Sequence, residues 1–541
     1  MRIVRPNRRS LTLARGYFCL VLHAHLPFVR HPEYDSFLEE TWLFEAIIDT
    51  YVPLLRVFDT LVDDGVPFRI TLSISPPLIA MLRDPFLQDR FLAHLGKMEQ
   101  LGDREILRNH GDPRVLDVAR MYRGLLYETR QYYVEHCKCD LIAAFRRLQD
   151  AGVLEIATAG ATHGFLPILK TQPCAVRTQL QVAADAYRSA FGHDVPGFWL
   201  PECGYYPGLE EHVAAVGGRF FFVETHAIMN AVTRPHYGYL APLDCGNAVY
   251  AFGRDPASSR LVWSSDEGYP GDPFYRDFYR DIGFDLDFEY IRPFILDGST
   301  RVFTGFKYHR ITGRSDHKEV YQPAAARERA DVHASDFLAR QIQMIDRCAP
   351  HMVRPPIITA LFDAELFGHW WFEGPQWLNF FIRKLAYDQK SVALATPSDY
   401  LNRHPGTQVA TPSASSWGDQ GYSSFWLNPG NDWIYRHLHD AAGRMQAIAR
   451  AKRDSAARGS IEERTLNQAA RSLLLAQSSD WAFIMKTGTN VDYAYGRIRD
   501  HIARFHVLAD TIESGSVDPN QLAALEAMDT IFPDIDFRLY A

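Results

Sequence analysis

Two carboxylates in this chain stand where a strand is expected to end. Glu202 follows the short apolar run Gly197–Leu200 and the turn-forming Pro201, and Asp363 follows the apolar run Ile357–Phe362. In parallel α/β folds, functional side chains collect at the carboxyl ends of the strands. Two carboxyl groups on one rim can cleave a glycosidic bond, because one attacks the anomeric carbon while the other protonates the leaving oxygen. The local pattern alone also allows both residues to be caps at helix starts.

Aromatic residues stand beside both carboxylates in the sequence. Trp199 and Tyr205 lie within three residues of Glu202, and two tryptophans, Trp370 and Trp371, follow Asp363. We expect Trp199 and Tyr205 to flank the Glu202 carboxylate and, because aromatic rings stack on the apolar faces of sugars, to flank the substrate as well. We expect the two later tryptophans to raise the pKa of the Asp363 carboxyl, as a general acid requires.

Three histidines also follow predicted strands. His23 and His25 come directly after the run Tyr17–Leu22, and they share a face because alternate residues of a strand point the same way. His163 follows the predicted strand Leu154–Thr158. Such histidines can hold a zinc ion, hydrogen-bond a polar substrate or be structural, and their spacing leaves all three interpretations open.

The elements that must position these residues are strands alternating with helical patterns, up to about Thr396. Besides those already named, the predicted strands are Phe68–Ile74, Phe220–His226, Leu261–Ser264 and Ser391–Ala395. This alternation, with polar residues at the strand ends, indicates a parallel, barrel-like α/β domain. We count about seven strands, so we predict an incomplete or distorted barrel.

A change of pattern divides the chain after this domain. Residues 402–416 are rich in Pro, Ser, Thr and Gly and show no periodicity, whereas the sequence beyond them is helical. We therefore predict a basic disordered arm over 1–16, a catalytic α/β domain with helical insertions over 17–401, and a junction over 402–416. Residues 417–541 are predicted to form an α-helical domain that contributes to the cleft.

Composition excludes several classes of protein. The 541 residues are 47% hydrophobic and carry a net charge of −8, which argues against a nucleic-acid or anionic-membrane partner. The seven cysteines are scattered and fit neither a zinc site nor a redox pair, so we expect free thiols in a reducing cytosol. No apolar run is long enough to cross a membrane, and the basic N-terminus lacks the features of a signal peptide. We therefore predict a cytoplasmic protein.

Four motifs occur in the order seen in glycoside hydrolase family 57. They are His23-Ala24-His25-Leu26-Pro27, Thr158–Pro167, Trp199-Leu200-Pro201-Glu202 and Phe362–Trp371. The chain resembles this family from about Gly16 to its C-terminus, and residues 417–428 and 478–493 are similar to the branching enzymes within it. The resemblance implies an incomplete (β/α)7 barrel followed by an all-α C-terminal domain, a retaining mechanism, and neither a metal nor a cofactor.

The resemblance also implies residue roles. Glu202 matches the nucleophile and Asp363 the general acid/base of an enzyme that cleaves α-1,4-glucan and transfers the chain to a 6-hydroxyl. Substrate-binding positions are expected at His23, His25, Trp42, His163, Tyr237, Trp263, Trp370, Trp417, Trp426 and Asp480. Tyr237 matches a tyrosine on a mobile loop that favours transfer over hydrolysis, with Tyr239 as a nearby alternative. The expected partners are glucan donor and acceptor chains in glycogen biosynthesis, while the physiological polysaccharide and the oligomeric state stay open.

Other functions remain to be weighed against this one. A 4-α-glucanotransferase or an α-amylase would use the same chemistry, but the Trp-rich segment after Ser416 favours the branching type. A zinc-dependent deacetylase or amidohydrolase could use the histidines, yet no further strand-end His-x-His completes such a site. A non-catalytic glucan-binding protein would not need both carboxylates. Within the mechanism, Glu365 is the second candidate acid, although its place beyond the strand end favours a supporting role.

Overall fold

The structure is a computed structural model that describes residues 14–264, 267–296 and 298–541. Residues 1–13, most of the predicted basic arm, lie outside the described residues. The strands of the described part are β1 Gly16–Ala24, β2 Ile70–Ile74, β3 Leu154–Ala157, β4 Gly197–Phe198, β5 Phe220–Val223, β6 Leu243–Asp244, β7 Tyr250–Gly253, β8 Ile357–Asp363 and β9 Val392–Leu394.

Seven parallel strands close into a barrel. One sheet has the order β3-β2-β1-β8 and the other the order β4-β5-β7. Two single parallel bridges join the sheets, one between Thr158 and Phe198 and one between Arg254 and Thr359. β6 pairs antiparallel with β7, and β9 adds beside the start of β1. Two of the seven contacts between neighbouring strands are therefore single bridges instead of regular pairings. This is the incomplete (β/α)7 barrel that was predicted.

Helices surround the barrel and make up most of the region after residue 416. The longer helices before that point are Val52–Asp63, Pro76–Arg83, Pro85–Arg108, Pro113–Arg130, Leu141–Asp150, Pro173–Phe191, Pro256–Trp263, Pro323–Cys348 and Gly374–Tyr387. The shorter ones are Thr41–Ala46, Leu166–Leu169, Leu209–Ala215, Thr225–Met229, Ile282–Asp285, Phe288–Ile291 and Pro397–Arg403. The C-terminal helices are Trp433–Lys452, Ile461–Ala476, Ser479–Thr487, Val491–Ser514 and Pro519–Met528.

One predicted strand is a helix. The prediction of a strand over Leu261–Ser264 is wrong, because these residues end the helix Pro256–Trp263. Asp255 caps its start by accepting a hydrogen bond from Ser258 N at 2.6 Å, and proline at the first helical position is already set to a helical φ. The real strand of this region, β7, lies just before that cap.

The helical C-terminal region docks on the rim of the barrel. Gly164 forms an antiparallel bridge with Ser478, and Arg30 Nη1 donates to the carbonyl of Ala527 at 2.6 Å. This contact brings the start of the helix Ser479–Thr487 to the strand ends.

The cysteines and the helices bear on two further predictions. All seven cysteines are free thiols, as predicted. Among the described residues, none of the helices combines the length and apolar character that crossing a bilayer requires.

Candidate active site

Glu202 stands on a strained turn at the end of β4. The turn Pro201–Cys203 follows this two-residue strand closely, and Glu202 has φ 59° and ψ 28°. The left-handed region is unfavourable for a residue with a side chain and persists only where the surroundings hold it. Here Trp417 N donates to the carbonyl of Glu202 at 2.7 Å, so the segment after the barrel fixes the turn.

Asp363 is the last residue of β8 and lies beside His23 of β1. The register of the parallel pair places His23 next to Asp363, and on the other side β2 places Ser73 next to His23. Their side chains therefore share one rim of the barrel, as expected for the carboxyl ends of parallel strands.

A chain of hydrogen bonds leads from this rim to Glu202. The Ser73 hydroxyl lies 3.1 Å from His23 Nδ1, His23 Nε2 lies 3.0 Å from His163 Nε2, and His163 Nδ1 lies 2.9 Å from Ser479 Oγ. The Ser479 hydroxyl then donates to Glu202 Oε1 at 2.9 Å. Burial lowers the pKa of His23 and of His163 well below the usual value, so both imidazoles are neutral and each can donate one proton and accept another.

His25 and Asp480 form a second link between the barrel and the helical region. Asp480 accepts a hydrogen bond from His25 Nε2 at 3.1 Å, and the His25 ring stacks on the His163 ring with centroids 3.8 Å apart. The charge and hydrogen bond of His25 hold the pKa of Asp480 at about 2, despite its burial. Asp480 is therefore ionised throughout the neutral range.

Burial raises the pKa of three carboxyl groups near the rim, those of Glu202, Asp363 and Glu365. The pKa of Glu202 rises to about 8 through burial and the charge of Asp480, against the lowering effect of Ser479. Burial raises the pKa of Asp363 to about 6, and Arg254 and His25 hold it from rising further.

Glu365 is buried beside them and is held by protein groups. Its carboxylate accepts from Tyr51 Oη at 2.5 Å and from His25 N at 3.2 Å, and burial with the charge of Asp363 raises its pKa to about 8. These contacts suit a residue that supports Asp363 rather than one that reaches substrate.

The order of the two pKa values has a consequence for the chemistry. A retaining double displacement needs ionised Glu202 and protonated Asp363. Because the pKa of Glu202, about 8, lies above that of Asp363, about 6, this form is a minor one in the free protein between those pH values. The positive charge that develops at the anomeric carbon favours ionised Glu202, so substrate shifts the balance toward the reactive form.

Arg254 is a site residue that the sequence analysis missed. It follows β7, donates to Glu224 Oε1 at 2.7 Å, and places its guanidinium 4.4 Å from the centre of the Trp417 ring. Its charge lowers the pKa of Asp363. An arginine at a strand end is a signal that could have found it, but β7 itself was not recognised.

Four of the five tryptophans expected to bind substrate are accessible or partly accessible: Trp42, Trp263, Trp370 and Trp417. Trp417 packs edge-to-face against Trp263, which is 36% exposed. On the other side, Trp42 lies edge-to-face with Tyr493 at 5.8 Å. Trp417, whose backbone bonds Glu202, therefore places a partly accessible ring next to that residue.

Other aromatic residues lie elsewhere than predicted. The expectation that Trp199 and Tyr205 flank the substrate is wrong, because both are buried: Trp199 stacks flat on His23 at 4.5 Å, and the Tyr205 hydroxyl bonds Glu210. Trp426 is 1% exposed and stacks on Phe165, so it packs inside the protein instead of lining the cleft.

Tyr237 also lies away from the carboxylates. Its hydroxyl accepts from Val353 N at 3.3 Å, and Val353 precedes β8, whose opposite end carries Asp363. Tyr239, the alternative, interacts with Asp255 immediately after Arg254 and is therefore nearer the rim.

One group of side chains could hold a metal ion. His25, His163 and Asp480 each offer a ligand atom, and these atoms lie within 4.8 Å of one another. Each of these residues already has a protein hydrogen-bond partner, so a metal would replace the His25–Asp480 bond. The arrangement fits the role of a hydrogen-bonded substrate contact at least as well.

The chain is similar to known proteins over nearly its whole length. Residues 19–412 match the family model described as glycosyl hydrolase family 57, and residues 437–540 match that described as 1,4-alpha-glucan branching enzyme, C-terminal. The chain is 32% identical to 1,4-alpha-glucan branching enzyme TK1436 of Thermococcus kodakarensis, over 96% of this chain and 77% of that protein.

The fold is also similar to the folds of proteins with known crystal structures. The novel α-amylase AmyC from Thermotoga maritima is 43% identical with a TM-score of 0.91, and the match covers 97% of this chain and 99% of that one. The GH57-type branching enzyme from Pyrococcus horikoshii is 31% identical with a TM-score of 0.87, and the match covers 97% of each chain. With the motifs, the barrel and the family match all in agreement, the chain belongs to glycosyl hydrolase family 57.

Proposed function

We propose that this protein is a 1,4-α-glucan branching enzyme that works by a retaining double displacement. The observation that carries the chemistry is the placing of Glu202 and Asp363 on one barrel rim, with Ser479 of the helical region bonded to Glu202. The match of residues 437–540 to the branching-enzyme C-terminal region supports the choice of reaction.

In the first step, ionised Glu202 attacks the anomeric carbon of an α-1,4-glucan. The bond from that carbon to the 4-oxygen breaks, and protonated Asp363 gives its proton to this oxygen as the non-reducing-side chain becomes an ester of Glu202. The ester and the neutral histidines around it leave Asp363 as the ionised group of the pair. The Arg254 charge stabilises that carboxylate.

In the second step, Asp363 takes the proton of an acceptor's 6-hydroxyl. The 6-oxygen attacks the same carbon, the ester bond to Glu202 breaks, and an α-1,6 branch forms with retained configuration. Water competes for the ester, so transfer requires that acceptor sugar be held and water displaced. Trp42, Trp263 and Trp417 are the accessible rings that we assign to this task.

A second candidate, α-amylase, is favoured by one feature of the structure. Tyr237, the residue expected to promote transfer, bonds Val353 at the far end of β8 and so does not shield the ester from water. The similar structure from Thermotoga maritima is described as an α-amylase. The two activities differ only in which hydroxyl attacks in the second step.

Incubation of the purified protein with amylose separates these activities. We would follow iodine absorbance, reducing ends and, after debranching, the newly released chains. Iodine colour that falls with few new reducing ends and with new α-1,6 points supports branching, and Glu202→Gln should abolish both changes. Reducing ends that rise in step with colour loss would instead establish an amylase.

The proposed setting is the cytoplasm, acting on a glycogen-like glucan. Seven free thiols are maintained most readily in a reducing compartment. Fractionation of cells, with the glucan's branch density measured with and without the protein, tests both points.

A further inference from the structure

A group of exposed aromatic rings surrounds Trp370, which the resemblance places among the substrate-binding residues. Trp370 is 54% exposed and Tyr279 is 76% exposed, and Phe278 packs between them. The Phe278 ring stacks on Trp370 at 4.6 Å and meets Tyr279 edge-to-face at 5.3 Å. We call Phe278, Tyr279 and Trp370 the aromatic shelf. Large rings are seldom exposed together on a protein surface unless they bind a partner, so this surface is a candidate binding site.

The shelf is held rigidly from below. The Lys307 ammonium, which is buried, lies 3.9 Å from the centre of the Phe278 ring and 4.6 Å from that of Phe303. His369 packs edge-to-face against both Phe278 and Trp370. A rigid platform loses little entropy when a ligand stacks on it.

The backbone ties the shelf to the catalytic rim. Trp370 N donates to the carbonyl of Glu365 at 3.2 Å, two residues after Asp363. Gly368 has φ 115°, and a Cβ there would stand 1.8 Å from the carbonyl oxygen of Asp49, so only glycine allows this close approach. The position of Trp370 is therefore set by the same loop that carries the second carboxylate.

Polar groups for sugar hydroxyls lie next to the shelf. His369 Nδ1 lies 3.1 Å from Asp49 Oδ2, and Glu45, one helical turn before Asp49, interacts with the charges of His369 and Lys307. A cavity of about 40 Å³, which is about the size of a water molecule, is lined by Glu45, Asp49 and Phe303. Carboxylate oxygens accept hydrogen bonds from sugar hydroxyls, so Glu45 and Asp49 can contact a ligand that stacks on the shelf.

The same helix face continues into the cleft. Trp42, Glu45 and Asp49 follow one another at helical spacing, from the contact of Trp42 with Tyr493 to the contact of Asp49 with His369. The row therefore leads from Trp42, one of the rings that we assign to acceptor sugar, to Asp49, whose carboxylate contacts His369 beside the shelf.

We propose that the aromatic shelf, with Glu45 and Asp49 beside it, is a binding subsite for glucosyl units of an α-1,4-glucan that extends beyond the catalytic cleft. The rings would stack on the apolar sugar faces while the carboxylates accept from hydroxyls. This inference rests on the proposed function for the identity of the glucan, and it makes the shelf a means of selecting long chains over short ones.

The test is the affinity of inactive Glu202→Gln protein for maltoheptaose and for maltose, by isothermal titration calorimetry. Adding Tyr279→Ala and Trp370→Ala together should weaken maltoheptaose binding about tenfold, as loss of a good stacking contact does, and change maltose binding less than twofold. Tyr279→Phe keeps the ring and should keep the affinity. The matched control is Phe274→Ala, whose ring is 49% exposed but lies against Arg329 instead of the shelf.

Glu45→Ala provides a second measurement. Its expected result differs from the result expected if Glu45 only stabilised the fold. Burial raises the pKa of Glu45 to about 7, so its ionised form is unfavourable in the folded protein, and its loss should weaken maltoheptaose binding without lowering the melting temperature. Unchanged maltoheptaose affinity in the double variant would contradict the proposed subsite. It would not affect the test of the proposed function by the amylose assay of the wild-type protein. Conversely, a wild-type protein inert toward amylose that still binds maltoheptaose through Tyr279 would overturn the proposed function and keep the shelf.

Discussion

Ser479 offers the sharpest test of how Glu202 is controlled. Its hydroxyl donates to Glu202 Oε1 at 2.9 Å and lowers the pKa of that carboxyl. Ser479→Ala removes this donor, while Ser479 N, which bonds the His163 carbonyl at 3.0 Å, is kept because the backbone is unchanged. The pKa of Glu202 should therefore rise further above its present value of about 8.

The size of the effect follows from the strength of the bond. A hydrogen bond to a charged group contributes about 1.5–3 kcal/mol, and one pKa unit corresponds to about 1.4 kcal/mol, so the rise should be about one to two units. Because Asp363 titrates near 6, ionised Glu202 with protonated Asp363 is a minor form at neutral pH. Each unit added to the pKa of Glu202 then lowers kcat/KM at neutral pH by about tenfold.

The assay is the pH dependence of kcat/KM on amylose. The wild-type profile should be flat between limbs at about 6 and about 8, which belong to Asp363 and Glu202. In Ser479→Ala the alkaline limb should move to higher pH, so that the two proteins converge where Glu202 is ionised in both. Ser479→Thr should restore the profile, and Ser478→Ala, whose hydroxyl bonds Asp480, should keep the limbs. A loss by the same factor at every pH would falsify the assignment.

Three further perturbations have defined outcomes. Gly368→Ala places a Cβ 1.8 Å from the Asp49 carbonyl oxygen and should lower the free energy of unfolding by about 2–4 kcal/mol in denaturant titration, whereas Gly459→Ala, with φ 75° and open space, should cost about 1 kcal/mol. Arg254→Met removes the charge that lowers the pKa of Asp363, so the acid limb of the kcat/KM profile should move to higher pH, and an unmoved limb would contradict that role. Dialysis against a chelator should leave branching or hydrolysis of amylose unchanged, and activity that returns only with zinc would instead support a metal-dependent hydrolase.

The strand ends were predictable because of a general property of parallel sheets. Apolar runs that end in a polar residue recur at Glu202, Asp363, His23 and His163, and parallel strands bring such ends to one rim. The order of the runs therefore indicated which side chains would meet, even though they are up to 340 residues apart in the sequence.

The orientation of individual rings was not predictable in the same way. β4 has only two residues, and Trp199 follows it just before a turn with a left-handed residue, so strand alternation does not say which way the ring points. The ring turns inward onto His23. Tyr205 follows the same turn, so its orientation was not predictable either, and its ring packs on Phe221. Local patterns fix a side chain's face only where the backbone is regular for several residues.

The strand β7 was missed because a stronger local signal follows it. Tyr250–Gly253 is short, and the Asp255-Pro256 helix start comes immediately after it. The apolar run at the other end of that helix was predicted to be the strand instead. Arg254 was therefore not recognised as a residue at a strand end.

The environment of Glu202 depends on residues that no local pattern connects to it. Ser479, 277 residues away, donates to its carboxylate, Asp480 raises its pKa, and Trp417 holds its backbone in a strained turn. The barrel supplies the carboxylate, but the helical region sets its charge and its conformation. Since a strained left-handed residue relaxes when its restraints are lost, separation of the helical region from the rim would remove both effects at once. The environment of the nucleophile is thus complete only where the barrel and the helical region meet.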